Sequence, residues 1–264
     1  MRTVLVAPVV AWLAWLPAGC GAQVIDGRNH APDATPPVDA AEIDAPPDDA
    51  ATVPIDAAVA RCASRTVFLN FDGQALQRGP SDATTNSASW MTGTTGTAPP
   101  YLNGNGARDA TIQSIVNGVR AQLSAPTFPV PITVVTTRPN SRSYVMVVFG
   151  GQMGQVGSRF SGAVNTLDCD DQRPNDVAWI SDSVAPTQRV INYAIGAIGF
   201  GLGLTATNDP NDCMCSWDNG CQPNAGAPCR LGAPIARDTG AAQQCPTASP
   251  SQDEVATFHK AFCE

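Results

Sequence analysis

Residues 191–214 read INYAIGAIGFGLGLTATNDPNDCM. The first half of this run is apolar and of helix length, yet glycine stands at 196, 199, 201 and 203. A glycine inside a helix costs about 1 kcal/mol relative to alanine, so four of them cost about 4 kcal/mol. A chain that keeps them has a compensating reason, and close approach of another backbone is the usual one. The spacing predicts a helix from about Thr187 to Leu204 that is built for packing. The run is shorter than the roughly 20 apolar residues that span a bilayer and contains Asn192, so it reads as a buried helix.

The fold that holds this helix is preceded by two other kinds of sequence. Residues 1–20, MRTVLVAPVVAWLAWLPAGC, carry Arg2, an apolar stretch over 3–16 and the small residues Ala18 and Gly19 before Cys20. This is the pattern of a secretory signal peptide. It also resembles a bacterial lipoprotein signal, which implies that Cys20 is lipidated and becomes the N-terminus, with several acyl chains anchoring the protein firmly to a membrane. Pro17 stands where such signals usually carry leucine, and Leu16 comes one step early; ordinary cleavage is the other reading. Gly21 is not the aspartate that signals inner-membrane retention in some bacteria, which directs the expectation to the outer membrane or cell surface.

Residues 21–61 are dominated by proline, alanine and aspartate, with eight acidic residues against two arginines and no aromatics. Such a composition offers too little apolar surface to offset the entropy of ordering, so it reads as a disordered tether. Residues 62–264 have the length of one domain. They carry 15 acidic and 12 basic residues, without the basic stripe that a nucleic-acid surface requires.

Cysteine usage agrees with export. Cys62, Cys169, Cys213, Cys215, Cys221, Cys229, Cys245 and Cys263 make an even set in a chain that passes an oxidising compartment, so four disulfides are expected, in any of 105 pairings. A zinc site at 213, 215, 221 and 229 is the alternative for that cluster, although its spacing lacks paired C-x-x-C elements.

Within the domain, TVFLNF (66–71) reads as a strand that ends in the turn pair Asp72-Gly73. Residues 79–108, rich in Thr, Ser, Asn and Gly, read as a long surface loop. Ile112, Ile115, Val116, Val119 and Leu123 fall at helical spacing, with Asp109 as N-cap. Strands follow at 132–136, 144–149 and 177–180; their nearly continuous apolar character suits strands covered on both faces. After the glycine-bearing helix comes a cysteine-rich loop region over 208–250. A closing helix follows, with Ser251 and Glu254 as a capping box and Val255, Phe258 and Phe262 as its buried stripe. The fold class read from this order is α/β: a mixed twisted sheet with packed helices, stabilised by disulfides.

The glycine helix and the residues after it resemble the metzincin zinc proteases, and the matrixin-like branch in particular. That family carries H-E-x-x-H-x-x-G-x-x-H on a helix, followed by a turn with a methionine. With Gly203-Leu204 in the G-L place of the matrixin-like motif, Gly199 falls on its inner glycine and Met214 on the turn methionine, eight residues after the third histidine's place. The order of strands and helices is similar as well. The resemblance implies a zincin-like fold over 62–264. It also implies a degenerate site, because the histidine and glutamate places hold Gly196, Ala197, Phe200 and Ala206. None of these side chains ligates zinc or moves a proton. His30 lies in the tether and His259 reads as a packing residue of the last helix.

Other constellations are weaker. The acidic loops 168–171 and 208–212 read as turns or as calcium ligands, without EF-hand spacing. No G-x-S-x-G occurs, and the run 150–157 lacks the spacing of a phosphate cradle. The expectation is therefore a pseudoenzyme without metal, cofactor or catalytic residues. It would be an exported lipoprotein of the cell envelope, held to the membrane through Cys20, that binds or scaffolds a peptide or protein partner and not nucleic acid. The alternatives are a metal-dependent hydrolase with a non-standard site, or a purely structural envelope protein.

Overall fold

The computed structural model describes residues 62–264 apart from 125–127, 129–130, 142, 170, 217–219, 233, 243 and 246–248. The signal sequence with Cys20, the tether and His30 lie outside the described residues. Strand β1 spans Cys62–Asn70, and Gly73 at φ 88° turns the chain after it. Next come β2 (Gln74–Arg78), β3 (Ser87–Ala88), β4 (Thr95–Ala98) and the helix α1 (Arg108–Gln122). They are followed by β5 (Ile132–Val135), β6 (Tyr144–Phe149), the short helix α2 (Met153–Val156), β7 (Ala163–Val164), β8 (Val177–Ile180) and α3 (Thr187–Gly201). β9 (Ile235–Ala236), α4 (Thr239–Ala242), β10 (Ser251–Gln252) and α5 (Glu254–Cys263) complete the chain. The fold is mixed α/β, as the element order predicts.

The main sheet has the order β5-β1-β6-β8-β7. Its first four strands are parallel, and β7 pairs antiparallel with β8 at one edge. All six residues of β6 are buried, which explains their uninterrupted apolar character. Val145, Val147 and Phe149 point into a core shared with Ile115 and Val119 of α1, Ile195 and Ile198 of α3, and Phe258 and Phe262 of α5. Tyr144, Met146 and Val148 point the other way, into a second core with Leu76, Trp90, Met91 and Trp179.

That second core corrects the reading of 79–108 as a surface loop. The segment contributes β3 and β4 to a small sheet of order β3-β2-β4, and Ser81, Ala83, Ala88, Trp90, Met91 and Ala98 are buried. A parallel sheet needs both faces covered, and this polar-looking stretch covers one of them through a few well-placed apolar residues. The Trp90 indole N–H donates to the Val177 carbonyl at 2.6 Å, so its polar atom is satisfied inside the core.

Two helix starts also differ from the sequence reading. α1 begins at Arg108, so Asp109 lies within its first turn and is not the N-cap. α5 is capped by Asp253, whose carboxylate accepts the Ala256 N–H at 2.8 Å; Ser251 is drawn into β10, where it pairs with Ala236. In both cases a tertiary or neighbouring contact overrides a local pattern that allows more than one register.

All eight domain cysteines pair: Cys62–Cys263, Cys169–Cys245, Cys213–Cys229 and Cys215–Cys221. The cluster at 213–229 is thus a disulfide pair of pairs. Four disulfides mark an oxidising, extracytoplasmic environment. No helix among the described residues is long and apolar enough to cross a membrane.

Candidate functional site

Each glycine of the α3 region answers to a particular neighbour. A Cβ at Gly196 would stand 2.5 Å from the Cys213 carbonyl oxygen, and one at Gly199 would stand 2.5 Å from the Met214 sulfur. At Gly201 the Cβ would meet Asn165 Nδ2 and Asp176 Oδ2, each at 2.6 Å. Gly203 takes φ +86° and lies against the carbonyls of Asp168 and Cys169. The predicted helix therefore stops at Gly201. Leu204 N–H bonds back to Gly199 O at 3.0 Å and Gly203 N–H to Phe200 O at 3.2 Å, the paired bonds of a Schellman motif, which requires a left-handed residue at Gly203.

The missing side chains at Gly196 and Gly199 let residues 213–214 lie directly against the helix backbone. Met214 is fully buried there. Its N–H donates to Asp212 Oδ1 at 2.7 Å, and Thr207 Oγ1 donates to the same oxygen at 3.1 Å. Gln252 clasps the segment that follows α3: its Oε1 accepts Thr205 N–H at 3.0 Å and its Nε2 donates to Thr205 O at 2.9 Å. The same Nε2 donates to Glu254 Oε1 at 2.8 Å, and Glu254 Oε2 accepts Gly232 N–H at 2.7 Å.

Asp212 and Glu254 are both buried and hydrogen-bonded to each other. Burial first, and then the charge of Asp212, pushes Glu254 up to about 8, and burial also raises Asp212. Each carboxyl also accepts two further donors, so the pair titrates as a coupled unit in which burial and the neighbouring charge favour the protonated form of Glu254. A third buried acid, Asp176, has no hydrogen-bond partner on either oxygen among the described residues; burial, then the nearby Asp168 charge, pushes it up to about 7.

A cavity of about 720 Å³ opens between α3, the edge strand β7 and the loop through Cys213 and Cys215. Three of the four motif positions, Gly196, Ala197 and Phe200, line it. Phe200 is half-buried and leaves the space open. The fourth position, Ala206, is buried outside the lining, and its carbonyl accepts Asp238 N–H at 2.8 Å. The continuous stretch 159–165 forms the opposite wall, with Asn165 Nδ2 donating to Ala197 O at 2.8 Å across the gap. Among the described residues Arg159 is the one charged side chain in this lining.

Among the described residues no three His, Cys, Asp or Glu side chains gather as a metal site. The acidic loops are occupied otherwise. Asp168 pairs with Arg173 at 3.3 Å and Asp171 with Arg65 at 2.8 Å, while Asp170 lies outside the described residues. Asp209 accepts Asn211 N–H and pairs with Arg230, the turn chemistry expected of the segment. His259, on α5, faces Glu264 at 3.7 Å and takes no part in the cavity.

The sequence missed the far wall of the cavity. β7 is two residues long, below the length at which alternation identifies a strand, and the run RFSGAVN around it carries no motif. No protein-family model matches the chain, and no curated protein matches it in sequence.

Proposed function

We propose that this chain is an exported, lipid-anchored cell-envelope protein whose domain is a metzincin-like fold emptied of its zinc site, and that the open cleft holds an extended segment of a partner polypeptide without cutting it. The reading is supported by the order of strands and helices, by the contact of Gly199 with the buried Met214, and by the edge strand beside the motif helix. One observation carries it: where zinc ligands and a general base would line the cleft, Gly196, Ala197 and Phe200 present only backbone and hydrocarbon to a cavity of about 720 Å³.

An open sheet edge beside a cavity with an apolar wall at Gly196, Ala197 and Phe200 is the arrangement that takes up a peptide as an added strand, main-chain bonds supplying affinity and the cavity supplying selectivity. A purely structural protein has no use for the opening. Export and anchoring follow from the signal and Cys20, and the four disulfides agree with them. The test is metal analysis of the purified protein after zinc loading, together with casein digestion. The expected result is no stoichiometric zinc and no cleavage; bound zinc with chelator-sensitive cleavage would restore the hydrolase reading.

A further inference from the structure

The cleft has a direction. β7 is the last strand of its sheet, with Ala163 opposite Ile180 and Val164 opposite Trp179. Ser181 N–H donates to Gly162 O at 2.8 Å, which fixes the phase of the ladder. In that phase the N–H and C=O of Ala163 turn away from β8, to the open edge. A strand added there antiparallel exchanges both bonds with Ala163, and its chain runs from the Asn165 end toward Ser161, Phe160 and Arg159.

The C-terminal end of such a strand therefore arrives at Arg159. This side chain is exposed, its guanidinium lies 4.9 Å from the centre of the Phe160 ring, and it has no ion pair or hydrogen bond among the described residues. Other arginines, such as Arg65, Arg108, Arg173 and Arg230, have acidic partners. Among the described residues no acidic side chain lines the cavity beside Arg159. A guanidinium stacked on an aromatic ring keeps its donor fork in plane and free for a carboxylate. A parallel strand would bring an ammonium group to the same place, where the two cations repel.

We propose that the cleft recognises the C-terminus of its partner polypeptide: the terminal carboxylate sits on Arg159, the last residues pair antiparallel with β7, and apolar side chains near the end rest on Gly196, Ala197 and Phe200. This rests on the peptide-binding reading above and adds to it the polarity and the terminal group.

Two libraries of six random residues, biotinylated at the N-terminus, separate the two claims on the purified full chain. One library ends in a free carboxylate and the other is amidated. The expected result is selection from the first only, with apolar residues near the end. Amidation of the best peptide should weaken it about tenfold or more, the scale of one charged hydrogen bond. Arg159→Gln should cost the same factor, and amidation should then cost nothing further, while Arg159→Lys recovers part of the loss. Arg159 is exposed, so these variants retain the fold. Equal binding of amidated peptides, or full affinity in Arg159→Gln, would overturn the terminal carboxylate and leave the peptide cleft standing. Binding from neither library would overturn both.

Discussion

A missing methyl group is the unit of construction in α3. Gly196 lacks a Cβ because the Cys213 carbonyl occupies its place, and that carbonyl is held by the Cys213–Cys229 disulfide and by Cys213 N–H bonding to Arg230 O at 2.9 Å. Gly196→Ala gains about 1 kcal/mol of helix propensity and loses more to backbone displacement in a packed core, so the net expectation is destabilisation by about 1–2 kcal/mol. Gly154, inside α2, has no atom within 4 Å of where its Cβ would be. Gly154→Ala should therefore stabilise, by roughly 0.5–1 kcal/mol. Urea midpoints of the two variants measure opposite signs for the same chemical change. The number of glycines was legible in the chain, and so was their cost. Which neighbour displaced each side chain was not, because Cys213, Met214, Asn165 and Asp176 reach α3 through loops and a strand distant in sequence.

At the scale of elements, the loop carrying Met214 is fastened by hydrogen bonds and disulfides. Gln252 of β10 clasps Thr205, Glu254 of α5 clasps Gly232, and Asp212 clasps Met214 and Thr207. Glu254 in this fastening and Asp176, which packs against Gly201 of α3, are buried and raised from their ordinary values, Asp176 from 3.8 to about 7 and Glu254 from 4.5 to about 8. Asp212 and Arg237 face Glu254, while Asp168, Arg173, Asp171 and Arg65 surround Asp176. The folded state prefers both acids protonated. The stability they lend is complete below about pH 4, declines as pH rises and is lost above about pH 8. Urea denaturation from pH 5 to 8.5 should show that fall, on the order of a few kcal/mol. Glu254→Gln should remove the alkaline part and Asp176→Asn the part nearer neutrality; a pH profile unchanged in both variants would refute the assignment. The sequence announced neither acid. Glu254 looked like a capping residue, and only the fold of β10 against β9 turns it inward.

For the whole molecule, the bridge Cys62–Cys263 joins the first residue of β1 to the last of α5, 201 positions apart. Cys215–Cys221 closes a separation of only 6. Loop-closure entropy grows with length, so replacing both cysteines of the terminal bridge by serine should cost about 4–5 kcal/mol, against about 2 kcal/mol for the small one. Thermal unfolding of the two double variants checks the ranking.

By itself the sequence determined the α/β class, the places of β6, β8 and α3, the disulfide count, and the absence of zinc-binding side chains at Gly196, Ala197, Phe200 and Ala206. These follow from local periodicity, from residue chemistry and from the parity of cysteines, none of which needs a partner in space. Tertiary structure alone decided which cysteines pair, how residues 79–108 cover the sheet, that three motif positions line an open cavity, and that a two-residue edge strand and Arg159 form its other wall. The physical reason is common to all four. Each depends on contacts between segments far apart in the chain, where many pairings share one composition and only the packed arrangement selects among them.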